Sequence, residues 1–259
     1  MVMLRWGVFG LVAFVFVAPL GVLVIASGAG VWVWPSVLPQ SWTGGAWWTV
    51  IASDAFVSAL VASVGIAVAV TAFAFVLCWY AAFGLAHSDA RGMRTIVLAV
   101  CYAPLVVPPF LPLIGTHRWL IRLGWSDSVW GVIAVTVPLV VPYVLHALLL
   151  GLDTISAQWR DVARMLGASV FAQQRTLLAM LRPSIALGCG CALIVSWSQY
   201  VVPLTIGQIV TIPVLMMPYV VGGDRALGAV YALVYTCGAC ALWLSADVLI
   251  RGRKRGSRA

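Results

Sequence analysis

"FVSALVASVGIAVAVTAFAFVLCWYAAFGL", residues 56–85, runs for thirty positions without one charged side chain. About twenty predominantly apolar residues suffice for a helix to cross the hydrocarbon of a bilayer. Working outward, the rest of the chain has the same character. Of 259 residues, 63% are hydrophobic and 8% charged, with a mean hydropathy of +1.08. An ordinary soluble domain carries about 25% charged residues, so an aqueous fold is excluded and an all-α, polytopic membrane protein is expected. Apolar runs predict six transmembrane helices, near 7–28, 56–85, 95–115, 129–150, 184–204 and 227–250, in one transmembrane domain spanning 1–259. The first resembles a signal peptide, since Arg5 precedes it and "ASGAG" follows. Its apolar run exceeds the roughly 7–15 residues of a signal-peptide core, so it reads as an anchored helix.

Charge sets the orientation. With the N-terminus inside, twelve of the fifteen cations fall on one side: Arg5; Arg91 and Arg94; Arg160, Arg164, Arg175 and Arg182; and Arg251, Arg253, Lys254, Arg255 and Arg258. Only Arg118, Arg122 and Arg225 fall on the other. Cytoplasmic loops carry the excess of Lys and Arg, which places both termini and the loop of about 151–183 in the cytoplasm. Cations flanking spans also explain the basic balance without nucleic acid. External loops are expected near 29–55, 116–128 and 205–226. Trp32, Trp34, Trp42, Trp47 and Trp48 crowd the first, and Trp119, Trp125 and Trp130 the second. Indoles favour the headgroup zone, where ring and N–H are both accommodated; docking of an external partner is the rival reading of these rings.

Catalytic chemistry finds little purchase. All seven acids are Asp. Asp153 and Asp247 lie near span ends, Asp54 opens the second span, and no mid-membrane pair forms, although ionisable groups at that depth usually mark function. His146 sits one turn inside the fourth span, where a lone imidazole is more often packed and hydrogen-bonded than catalytic. The six cysteines (Cys78, Cys101, Cys189, Cys191, Cys237 and Cys240) lie in apolar stretches and read as small packing residues, with no metal. No G-x-x-x-x-G-K-[ST] phosphate loop occurs, so uphill transport would need a nucleotide-hydrolysing partner.

Two features suggest a pathway. Pro104, Pro108, Pro109 and Pro112 interrupt the third span and Pro138 and Pro142 the fourth. Broken backbone at membrane depth is tolerated only against protein or a water-filled cavity, so a broken helix beside a pathway is expected. In the fifth span Ser196, Ser198, Gln199 and Tyr200 either line that path or stitch helices together through hydrogen bonds worth about 0.6 kcal/mol each.

Between the fourth and fifth spans lies a long polar-rich segment containing "RDVARMLGASVFAQQR", residues 160–175. Loops beyond about 12–15 residues usually carry function or helices of their own. Val162, Met165 and Leu166 share a helical face. Gly167 breaks the periodicity as a glycine does at a positive-φ turn, and Ser169 is placed to cap a second short helix beginning at Val170 and Phe171. Two short helices joined at a glycine make a projecting elbow suited to a protein partner. The rival is an amphipathic segment lying flat on the membrane, for which the apolar face is short.

"DVARMLGAS", residues 161–169, resembles the E-A-A-x-x-x-G loop of permease subunits of binding-protein-dependent type I ABC importers, and the likeness runs from about Asp54 to Ile250. The resemblance is nearest to the branch serving polyamines, thiamine, ferric iron and phosphonates. It implies a coupling helix that fits a groove on a cytosolic ATPase dimer, formed here by Asp161, Val162, Ala163, Arg164, Met165, Leu166, Gly167, Ala168 and Ser169. Asp161 stands where the family has Glu, Val162 replaces the first Ala, Ala163 is the second small residue and Gly167 the family glycine. In "LAMLRP" (178–183), Ala179 occupies the family's Pro position and the segment is one residue short. The same resemblance implies a bacterial inner-membrane location and a second permease subunit, a sister chain or another copy. It also implies a periplasmic or lipid-anchored solute-binding protein, with ATP and Mg held by the ATPase and no cofactor in this chain. The rival class is an ion-coupled secondary transporter or channel, which predicts mid-membrane charges or inverted repeats; neither is visible. Scarce acids in the spans weigh against a polycationic solute.

Overall fold

A computed structural model describes residues 2–33, 35–86, 91–107, 110–155, 158–207 and 209–251. Trp34, Pro108, Pro109, Arg253, Lys254, Arg255 and Arg258 lie outside the described residues, as do the side chains of Arg5, Arg91, Pro112, Arg160, Asp247 and Arg251. Among the described residues eleven α-helices follow one another: α1 (Val2–Ser27), α2 (Gly45–Ile51), α3 (Asp54–Ala86), α4 (Arg91–Val106), α5 (Phe110–Arg122), α6 (Val129–Asp153), α7 (Trp159–Met165), α8 (Val170–Met180), α9 (Arg182–Trp197), α10 (Ile212–Gly222) and α11 (Arg225–Arg251). A π-helical turn covers Pro203–Gly207. No strand occurs among the described residues; a single antiparallel bridge joins Ala29 and Trp42.

Four of these helices contain stretches long and apolar enough to cross a membrane: Phe9–Ser27, Asp54–Leu85, Val129–Asp153 and Arg225–Ala246. A fifth is added if α8 and α9, bent by 70° at Leu181, count as one. The expected third span is divided between α4 and α5, and the expected fifth shrinks to the sixteen residues of α9. The expectation that Pro138 and Pro142 interrupt the fourth span is corrected: α6 runs unbroken through both for 25 residues. A proline removes one backbone bond, but opening the helix further would expose polar groups with no water to receive them. Within the external loop expected at 205–226, the short helix α10 occupies half of the residues.

The chain forms two compact units. The first comprises residues 1–62 and 210–238. Within it α1 presents apolar side chains on every face and is scarcely buried, as a helix meeting lipid or partner spans must be. Tyr219 stacks on Tyr231 with ring centroids 5.2 Å apart, and Phe56 tilts against Tyr231 at 6.3 Å.

The second unit comprises residues 63–209 and 239–259. Its centre is α6, whose N-terminus is fixed by Ser128: the hydroxyl accepts from the Gly131 N–H at 3.1 Å and donates to the Trp125 carbonyl at 2.8 Å. Val132, Val140, Val144 and Leu148 of α6 are essentially inaccessible, packed with Val70 and Cys78 of α3 and Ala192 of α9. α6 packs most extensively on α9, because small residues let the backbones approach. A Cβ on Gly188 would lie 3.0 Å from Ala147 Cβ and 3.1 Å from Val144 Cα. One on Gly151 would meet the Ser184 hydroxyl and lie 2.7 Å from Leu181. Ala147 and Gly151, like Ser184 and Gly188, are spaced by four, the small-xxx-small pattern of tight membrane helix pairs. The two helices that flank the polar loop are thereby clamped together.

Candidate functional site

The segment between α6 and α9 folds into the expected two-helix elbow. α7 carries Asp161 in its first turn, where a carboxylate complements the helix dipole. It ends in a Schellman closure: the Gly167 N–H donates to the Arg164 carbonyl and the Ala168 N–H to the Ala163 carbonyl, both at 2.9 Å. Gly167 sits at φ +75°, a conformation open to glycine and costly for most other residues. Ser169 then takes an extended backbone and its hydroxyl accepts from the Ala172 N–H at 3.3 Å, starting α8.

The elbow presents apolar side chains outward. Met165 is 86% exposed, Leu166 82%, Val170 74% and Phe171 79%, while Asp161, Val162 and Arg164 are also exposed and Ala163 and Ala168 are half-buried. Burying such a group is favourable in proportion to the apolar area removed from water, about 25 cal/mol per Å². Four large apolar groups within seven residues of a polar loop form an exposed apolar patch, the kind of surface that marks interaction sites.

The inner side of the elbow is tied down by two glutamines that the sequence pattern did not single out, and by two charges it noted but did not pair. The Gln173 side-chain amide donates to the Ala168 carbonyl at 2.9 Å, and Gln173 is buried. Its neighbour Gln174 accepts from the indole N–H of Trp79, on α3, at 2.8 Å. Arg94, near the start of α4, forms a two-pronged ion pair with Asp153 at the end of α6, at 3.0 and 2.6 Å. The only visible signal for the glutamines was their adjacency in "AQQR"; Gln173 finds its partner five residues back, but that of Gln174 lies 95 residues away.

The candidate pathway residues behave differently. Ser198 donates to the Val195 carbonyl at 2.9 Å, and the Gln199 amide donates to the same carbonyl at 3.1 Å, so both finish the last turn of α9. Ser196 is buried and its hydroxyl has no partner among the described residues; Tyr200 is half-buried. A cavity of about 540 Å³ lies elsewhere in this unit, lined by Pro104, Thr116, Trp119, Pro138 and Val202 among others. It adjoins the break between α4 and α5, where the run of prolines predicted irregular backbone. His146 is exposed and meets the Tyr102 ring edge-on at 6.1 Å. Trp42, Trp48, Trp119, Trp125 and Trp130 are exposed, and Trp32 and Trp47 half-buried.

No curated protein matches the chain. Residues 90–255, well over half of it, match the family described as "Binding-protein-dependent transport system inner membrane component". The match takes in the elbow, the α6–α9 clamp and the cavity beside the broken helix. Its helices, its lack of strands among the described residues and this match together make the chain a member of the family of inner membrane permease components of binding-protein-dependent, type I ABC import systems.

Proposed function

We propose that this permease forms half of a solute pathway driven by a cytosolic ATPase dimer that grips the elbow at residues 160–175. The observation that carries this reading is the outward set of Met165, Leu166, Val170 and Phe171, held on either side of a positive-φ Gly167. Such a rigid apolar projection fits a socket in a protein better than the flat surface of a bilayer, where φ +75° at Gly167 would serve no purpose. Asp161, Val162, Ala163, Arg164, Ala168 and Ser169 complete the docking segment; Asp in place of Glu keeps the charge and shortens its reach by one methylene.

With the elbow inside, both termini are cytoplasmic and the Trp-rich loops face the binding protein. The other half of the pathway is a sister chain or a second copy, and ATP and Mg reside in the ATPase. Alternating access then follows from ATPase closure pulling on the elbow. Solute identity is set by the pathway and the binding protein; the branch serving polyamines, thiamine, ferric iron and phosphonates rests on the sequence resemblance. The test is reconstitution in proteoliposomes with the solute that co-purifies with the binding protein. Uptake should require both the cognate ATPase and ATP. Uptake that survives removal of either sinks the reading.

A further inference from the structure

We infer that Trp79 and Gln174 are positioning residues that carry movement of the elbow into α3, an inference that rests on the elbow being the ATPase-docking element. α9 shares any displacement of α8 through the chain itself, since the two meet at Leu181. α3 has no such connection: Trp79 and Gln174 are 95 residues apart in sequence. Apolar contact alone is non-directional and lets helices slip past one another. A hydrogen bond has direction and a narrow range of length, so a displacement of Gln174 must drag Trp79 or break the bond at 2.8 Å.

The local chemistry suits this role. An indole only donates, so the Gln174 amide must turn its oxygen toward α3 and its orientation is fixed. Trp79 is 9% exposed and Gln174 half-buried, so the bond is partly shielded from competing water. On the α3 side Trp79 is gripped by Phe75 and Phe83, one turn to either side, with ring centroids 5.9 and 6.1 Å away. On the loop side Gln173 holds the Ala168 carbonyl, one residue beyond the Gly167 turn. Adjacent glutamines thus face opposite tasks: Gln173 fastens the elbow to α8, and Gln174 fastens α8 to α3.

The experiment uses the full complex of permease, ATPase and solute-binding protein, and reads the ratio of ATP hydrolysis with and without the ligand-loaded binding protein as purified. That stimulation must cross the spans to reach the motor. Trp79→Phe keeps the ring and removes the donor; Gln174→Leu removes the acceptor; Gln174→Glu retains one. The inference predicts at least a twofold fall in the stimulation ratio for Trp79→Phe and for Gln174→Leu, no further fall in the double variant, and retention in Gln174→Glu. Co-purification of the ATPase should persist in all of them, which a merely structural defect would not allow. Parental stimulation in both single variants, or additive losses in the double variant, overturns the inference. If one variant fails to assemble, Gln174→Leu against Gln174→Glu decides alone. Failure of the parent to retain the ATPase instead overturns the docking reading, and the link falls with it.

Discussion

Two glycines show how differently the same residue type is required. A Cβ added at Gly167 would meet nothing within 4 Å, so space is not what this glycine provides; its φ of +75° is. A left-handed backbone costs an ordinary residue about 1–2 kcal/mol, and Asn bears it better than Leu. Gly167→Leu should therefore weaken ATPase association roughly tenfold while the thermal unfolding midpoint of the membrane part holds, with Gly167→Asn between it and the parent; pull-down titration and a melting curve in detergent measure the two. Gly151 is helical, and there a side chain would collide with Ser184 and Leu181. Overpacking of this kind costs about 1–3 kcal/mol. Gly151→Val should lower the unfolding midpoint itself, and an unchanged midpoint would contradict the α6–α9 packing. Asn offers no relief at this position, which separates the two mechanisms.

Among the elements, the ion pair between α4 and α6 invites overestimation. Its side chains are 37% and 47% exposed, so water screens it and a double-mutant cycle of Arg94→Gln and Asp153→Asn should return no more than about 1 kcal/mol, shrinking with salt. A coupling several times larger would mean that the site is far drier than this. The elbow was legible in the sequence because its signals are local: the spacing of Val162, Met165 and Leu166, a turn glycine and a capping serine all fall within 162–169. α10 was hidden because "IPVLMMPYVV" is too short to count as a span and carries two prolines. The continuity of α6 through Pro138 and Pro142 was hidden for another reason, since the apolar packing around a proline decides whether a helix survives it. Gln174 was unreadable as a link because nothing in "AQQR" points to an indole on α3. Ser198 and Gln199, read as lining a path or stitching helices, both bond the Val195 carbonyl of their own helix, a partner that their spacing alone does not announce.

At the scale of the whole molecule, orientation is the first thing to measure. In a variant lacking the six native cysteines, Phe171→Cys should react with a membrane-impermeant maleimide only from the cytoplasmic side, and Trp42→Cys only from the opposite side. Labelling of both from one side would reverse the topology argued from Arg and Lys. The 70° bend at Leu181 then acquires a mechanical meaning. α8 has eleven residues and, at about 1.5 Å per residue, forms an arm about 16 Å long. Set steeply across α9, it has the geometry of a crank for the proposed docking. A tip displacement of about 3 Å corresponds to a rotation of about 11° at the pivot. In the proposed coupling, small travel at the ATPase would become torque on α9, whereas a straight α8–α9 would transmit only a push along its axis.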